Sequence, residues 1–160
     1  MNAEAYSAGG AERRDTAGMT VIVKTVTRLT VGLIFLYGCY IVLHGHLTPG
    51  GGFVGGIILA LSFVHLALAF GREAAERTLS HRVAGLLEGV GALLFVSLAL
   101  LGLLSGVFFR NFLPAGDPYE LVSAGFIPLA NLAICLKVGA GLFSVFLALV
   151  FFRFDWERKP

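Results

Sequence analysis

The sequence predicts an all-α integral membrane protein with four transmembrane helices, and two observations lead to this prediction. Of its 160 residues, 57% are hydrophobic and 14% are charged, whereas a soluble domain carries roughly a quarter charged residues. The apolar residues also lie in four separate blocks, each close to the ~20 residues that cross a bilayer as an α-helix. A soluble helical domain is the poorer interpretation, because a protein of this size cannot bury four such blocks.

The first residues differ in character from the rest of the chain. Residues 1–19 are polar and small, and we expect them to form a disordered tail. No apolar segment with a cleavage site follows the basic residues at signal-peptide distance, so we predict no cleaved signal. Structure-forming sequence begins just after Met19, which makes Met19 an alternative start to Met1. Residues 20–160 are then one four-helix membrane domain.

The four apolar blocks are the predicted spans. They run from about Val21 to Leu43, Phe53 to Phe70, Val83 to Phe109 and Phe126 to Phe152. Small residues recur at a spacing of four, which allows close helix packing; examples are Gly52-xxx-Gly56, Gly85-xxx-Gly89 and Gly102-xxx-Gly106. Cys39 and Cys135 lie inside apolar blocks without metal-type spacing, so we interpret both as buried apolar residues.

Lysine and arginine set the predicted orientation. With four spans, both termini and the connection between spans two and three lie on one side. That side carries Arg13, Arg14, Lys24, Arg28, Arg72, Arg77, Arg82, Arg153, Arg158 and Lys159. The other side carries Arg110. We therefore expect cytoplasmic termini, with the first connection and residues 107–125 facing outward.

A glycine-rich segment joins spans one and two. The residues that predict a tight outer turn followed by a slim helix start are His46, Pro49, Gly50, Gly51, Gly52, Gly55 and Gly56. Thr48 followed by Pro49 predicts the N-cap and first residue of the second helix. The segment lacks the Gly-Lys-Ser/Thr of a phosphate-binding loop. Anion binding by exposed amides at the helix start is the functional alternative.

Three ionisable residues inside the spans are candidates for an ion path, because such residues are costly in a bilayer unless paired or hydrated. Glu88 lies on a small-residue face, where a structural pair with Arg28, Arg82 or a partner subunit is the alternative. Lys137 and His65 lie at similar depth, roughly 15–18 Å from the outer face at 1.5 Å per residue. Glu88 lies nearer the other face.

Depth therefore argues against a direct pair between Glu88 and Lys137. Two arrangements of Lys137 stay open: a hydrated pocket shared with His65, or a carboxylate on another chain. His65 as a packing histidine is the structural alternative. No catalytic triad, paired catalytic carboxylates or metal site is visible, so we expect no enzyme activity on a soluble substrate, no cofactor and no metal.

Two stretches resemble the MnhB/MrpB-type subunit of multisubunit Na+/H+ antiporters. They are Lys24-Thr25-Val26-Thr27-Arg28-Leu29 leading to Gly45-His46-Leu47-Thr48-Pro49-Gly50-Gly51-Gly52-Phe53-Val54-Gly55-Gly56, and Ser123-Ala124-Gly125-Phe126-Ile127-Pro128-Leu129 with Asn131-Leu132-Ala133-Ile134, leading to Leu136-Lys137-Val138-Gly139-Ala140-Gly141-Leu142. The resemblance covers about residues 22–150, and the glycine-rich run is its specific part.

The resemblance implies a small, multi-pass subunit of a cation/proton antiporter complex (the Mrp complex) in a prokaryotic plasma membrane. Its partners would be large proton-channel-like subunits, other small membrane subunits and the bilayer, with Na+ and H+ as transported ions. The alternative is a structural membrane subunit of a related redox-driven ion-pumping complex, such as a membrane-bound hydrogenase.

Overall fold

The computed structural model describes residues 19–117, 119 and 123–157, without the side chains of residues 72 and 151–157. Five helices lie in these residues: α1 Val21–Leu43, α2 Gly51–Phe70, α3 Arg72–Thr78, α4 His81–Leu103 and α5 Ile127–Glu157. By length and composition, α1, α2, α4 and the Ile127–Val150 part of α5 can cross a membrane. The predicted all-α class with four spans is confirmed. The predicted tail lies outside the described residues except for Met19.

The spans form an open row rather than a closed bundle. The extensive interfaces join α1 to α2, α2 to α5 and α5 to α4, with a smaller contact between α1 and α5. The buried share of the most apolar window is 22% in α1, 33% in α2, 17% in α4 and 28% in α5. Most of the surface of each span therefore faces lipid or another protein, and α4 is the least covered.

Glycines on two sides of α2 set its distance from both neighbours. A Cβ atom at Gly52 would overlap the backbone of Asn131 on α5, and one at Gly56 would lie 3.0 Å from the carbonyl oxygen of Cys135. On the other side, a Cβ atom at Gly55 would overlap Val42 of α1. These three positions leave no room for a side chain, so α2 lies almost backbone to backbone between α1 and α5.

The largest buried side chains lie toward the end of α2 that leads into α3. Phe143 and Leu147 of α5 are 0% and 1% exposed, and alanines from α2, α3 and α4 pack around them. The Phe63 ring lies 5.7 Å from the Phe143 ring and 6.0 Å from the Phe35 ring. Aromatic packing therefore links α1, α2 and α5 beyond the glycine contacts.

The start of α2 differs from the prediction. The N-cap is Gly50, with φ of 136°, rather than Thr48, and the first helical residue is Gly51 rather than Pro49. The Thr48 hydroxyl instead donates to the His44 carbonyl at 3.1 Å. Because the conformation at Gly50 favours glycine, the chain turns two residues later than the proline signal indicates.

The connections at the other ends also differ from the prediction. The third span ends at Leu103 rather than Phe109, because the amides of Leu104, Ser105 and Gly106 bond to carbonyls three residues back and tighten the last turn. Gly71, with φ of 86°, ends α2, and the chain then forms the short helix α3, which was not predicted. The helix that contains the fourth span, α5, continues to Glu157, past Phe152.

The backbone contact at Gly52 predicts that its substitution destabilises the chain. Gly52→Ala should lower the free energy of unfolding by about 1–3 kcal/mol, because the added methyl forces α2 and α5 apart. Gly32→Ala is the matched control, since a Cβ atom there meets nothing within 4 Å. Thermal denaturation of the full chain in detergent measures both. Equal midpoints for the two variants would contradict the packing.

Candidate functional site

The interface between α4 and α5 brings two of the three candidate residues together. Its closest point is Gly91, where a Cβ atom would lie 2.7 Å from both the Ala133 carbonyl oxygen and the Lys137 amide nitrogen. Glu88 lies on α4 about one turn before Gly91. The Lys137 Nζ atom lies 3.5 Å from the Glu88 Oε1 atom, and this ion pair joins the two spans.

The direct pair shows that the sequence-based depth argument is wrong. Gly91 fixes the register of the two helices, and in that register Glu88 lies against Gly141, with its Cδ atom 3.5 Å from where a Cβ atom of Gly141 would be. Lys137 lies about one turn from Gly141 on α5, a distance that its long side chain can cover. Counting from helix ends ignores this register. Of the two predicted arrangements of Lys137, the pocket shared with His65 is not the observed one, and a carboxylate on another chain stays a prediction.

The pair is only half-covered by its own chain. The Lys137 side chain is 53% exposed and that of Glu88 is 41% exposed. The hydroxyl of Ser144, about one turn beyond Gly141, is buried and has no hydrogen-bond partner among the described residues. Ser144 lies about two turns after Lys137 on the same side of α5, and the Glu88 carboxylate beside Lys137 is the group here that can hold a proton or a cation.

His65 lies at a different interface. Its Nε2 atom is 3.5 Å from the Thr27 hydroxyl of α1, and Thr27 is 1% exposed. The contact belongs to the α1–α2 interface, whereas Glu88 and Lys137 belong to the α4–α5 interface. The three candidate residues thus lie in two groups rather than in one pocket.

Asn131 is a structural polar residue for which no role was predicted. Its Oδ1 atom accepts a hydrogen bond of 3.3 Å from the Gly52 amide, one of the amides that a helix start leaves without a partner. An amide side chain in an apolar span was the available signal. Because Asn131 already bonds the Gly52 amide, anion binding at this helix start is disfavoured.

Asn111 plays a comparable part in the loop before α5. Its Oδ1 atom accepts from the amides of Leu113 and Phe126, both at 3.2 Å, and its Nδ2 atom donates to the Ala124 carbonyl at 3.4 Å. No periodic pattern in the sequence around Asn111 predicts this role. Asn111 ties the loop to the start of α5.

The histidines of the first connection show no metal-site geometry. The His44 ring stacks on the Tyr40 ring at 4.1 Å and its Nδ1 atom lies 3.1 Å from the Tyr40 carbonyl oxygen. Beside His46, Gly45 packs on Gly51 closely enough that a Cβ atom would overlap it. Among the described residues, no three histidine, cysteine or acidic side chains could hold a metal together.

Comparison with known proteins decides the family. A family model described as "Domain related to MnhB subunit of Na+/H+ antiporter" matches residues 22–144, which include most of every span and the Glu88–Lys137 pair. The chain belongs to the MnhB family. The resemblance in the glycine-rich run and in the last span is thereby confirmed.

Individual relatives match this chain over part of their own length. An uncharacterized protein of Methanocaldococcus jannaschii is 37% identical over 130 residues, 77% of this chain and 49% of that protein. A Staphylococcus aureus protein named "Putative antiporter subunit mnhB2" is 43% identical over 53 residues, 33% of this chain and 38% of that protein. The chain thus matches half or less of the length of these relatives.

A solved structure with a similar fold also has a similar sequence. A chain of the membrane-bound sulfane sulfur reductase, an archaeal respiratory membrane complex, superposes with a TM-score of 0.67 and 33% identity. The match covers 81% of this chain and 57% of that chain. The MnhB fold therefore occurs in a respiratory complex as well as in proteins named as antiporter subunits.

The geometry predicts that Glu88 and Lys137 contribute to stability as a unit. Glu88→Gln or Lys137→Met alone should lower the free energy of unfolding, because each leaves one charge unpaired inside a span. The double variant should be more stable than additivity predicts, by about 0.5–3 kcal/mol. Thermal denaturation of the four forms in detergent measures this coupling, and strictly additive effects would show that the residues do not interact.

Proposed function

We propose that this chain is a small membrane subunit of a multisubunit monovalent-cation/proton antiporter in a prokaryotic plasma membrane. In the complex it supports assembly and contributes polar groups to an ion path. The observation that carries the proposal is the half-exposed Glu88–Lys137 pair between two spans of a chain of the MnhB family. Ionisable groups in spans are rare and mark ion paths or subunit contacts.

The geometry of the pair allows the Glu88 carboxylate to bind a proton and a cation in turn. The single 3.5 Å contact is longer than a strong charge-assisted hydrogen bond of about 2.7–2.9 Å, so the carboxylate is not fully engaged. Glu88 can then take a proton or a hard cation such as Na+ on its free oxygen, since such cations prefer oxygen ligands. Lys137 holds the carboxylate in place. His65 with Thr27 is a separate polar group at the α1–α2 interface, so its part in ion movement is independent of this pair.

The spans are oriented with both termini in the cytoplasm. Lys24 and Arg28 begin α1, and Arg77 and Arg82 lie in the connection between α2 and α4, so this end of the row is basic, as cytoplasmic ends are. The Arg28 guanidinium lies over the Phe70 ring at 5.5 Å. The start of α1 thus lies beside the end of α2, and these basic residues share one face.

A second candidate function is a structural membrane subunit of a redox-driven ion-pumping complex. The 33% identity to a chain of the sulfane sulfur reductase favours it. Co-purification separates the two: antiporter subunits alone support the first function, whereas iron–sulfur subunits support the second. In neither does this chain supply a catalytic site for a soluble substrate or hold a cofactor of its own.

The ion-path role predicts a transport defect in the complex that does assemble. Glu88→Gln should lower Na+-dependent proton exchange about tenfold in inside-out vesicles at equal amounts of assembled complex, since it removes the protonatable group. Glu73→Gln is the control, because Glu73 pairs with Arg77 on the exposed surface of α3. If the assembled complex with Glu88→Gln exchanges Na+ and H+ at the wild-type rate, the ion-path role is wrong and the chain has only a structural role.

The orientation predicts which face a label reaches. In a Cys39→Ala, Cys135→Ala background, Thr78→Cys should react with a membrane-impermeant maleimide in inside-out vesicles. Val107→Cys should react in intact cells, because it lies at the opposite end of α4 and is 57% exposed. The reverse pattern would overturn the orientation.

A further inference from the structure

We propose that a transmembrane helix of another subunit docks along the α4–α5 groove and places a carboxylate beside Lys137. The groove consists of the Glu88–Lys137 pair and of the cavity beside it, which is lined by Gly91, Ala92, Phe95, Val96, Ala133, Ile134, Lys137 and Val138. The inference rests on the proposed function in one respect, namely that the chain works inside a complex.

Charge is the first argument. The Lys137 ammonium has three donors, its contact with Glu88 is 3.5 Å long, and its side chain is 53% exposed. In a bilayer that exposed part would face hydrocarbon, which is costly for a charge. A second carboxylate meets the remaining donors. Two carboxylates around one ammonium carry a net negative charge, so binding one proton makes the set neutral, and docking would complete a protonatable site.

Shape is the second argument. The cavity beside Lys137 has a volume of about 300 Å³, is almost entirely apolar and lies open along the interface. That volume suits large apolar side chains of a helix lying across it.

Unused small residues on α4 are the third argument. A Cβ atom at Gly85 or Gly89 would meet nothing within 4 Å, so the Gly85-xxx-Gly89 pattern serves no packing inside this chain. Both glycines lie on the same side of α4 as Ala92 and Val96, at helical spacing. Small residues at this spacing let a second helix approach closely. The side of α4 that carries Gly85 and Gly89 is thus continuous with the cavity.

A helix of another subunit fits this surface better than the other possible occupants. Lipid tails provide no acceptor for the ammonium. A second copy of this chain in a symmetric pair would bring its own Lys137 together with its Glu88, so the ratio would stay at one carboxylate for each ammonium. A helix carrying a carboxylate and large apolar side chains satisfies both charge and shape.

Site-specific photo-cross-linking in the intact complex tests the docking. A benzophenone amino acid at Val96, which is 52% exposed and lines the cavity, should link to a transmembrane helix of another subunit. The linked helix should carry Asp or Glu within about two turns, roughly 11 Å, of the link. Val90 is the matched control on another face of α4, 46% exposed. It should give at least about tenfold less of that adduct, because only direct contact permits the reaction.

Charge exchange tests the carboxylate itself. Lys137→Glu should lower the amount of assembled complex about tenfold or more, since it opposes like charges in a span. Changing the identified partner carboxylate to Lys in the same cells should restore assembly. Arg77→Glu, on exposed α3, should leave assembly unchanged.

Four results would overturn the docking: an adduct with lipid, an adduct with a second copy, a linked helix without an acidic residue, or no restoration by charge exchange. These readouts concern assembly rather than transport. A complex that docks as described yet exchanges no Na+ would contradict the proposed function and leave the docking standing.

Discussion

The close contact between α2 and α5 is the constraint on which the rest of the structure depends. Gly52 and Gly56 let the backbone of α2 lie against Asn131 and Cys135 of α5, and the Asn131 side chain satisfies the Gly52 amide. This contact fixes the level of α5 relative to α2. Because α4 then packs on α5 through Gly91, the same contact indirectly sets which residues of α4 meet Lys137.

An open row of spans follows from this arrangement and explains why the ion pair is half-exposed. In a closed bundle, four helices would surround their polar residues, but here α5 holds α2 and α4 on different sides. Glu88 and Lys137 meet at the edge of the α4–α5 interface, next to an apolar cavity. The glycine contacts hold the helices together, whereas most of the α4 surface is not covered by the chain itself. This is expected for a subunit of a membrane complex.

The sequence predicts the spans well because hydropathy over about twenty residues depends on little besides the bilayer. It predicts helix ends less well, since these depend on single glycines: Gly50 delays the start of α2, and Gly71 allows a separate α3.

The three ionisable residues were found from their cost in a bilayer. The pairing of Glu88 with Lys137 was not predicted. Gly91 sets the register of α4 on α5, and counting residues from the helix ends does not reveal that register. Asn131 was missed as an interaction because its partner is a backbone amide distant in sequence.

The central claim is that another subunit completes the polar site at Glu88 and Lys137. Electron cryo-microscopy of the intact complex, purified without disrupting its partners, tests it most directly. We expect a helix of another chain against Gly85 and Gly89, with a carboxylate oxygen in hydrogen-bonding distance of the Lys137 Nζ atom. Lipid density filling the α4–α5 groove, with Lys137 bonded to Glu88 alone, would contradict it.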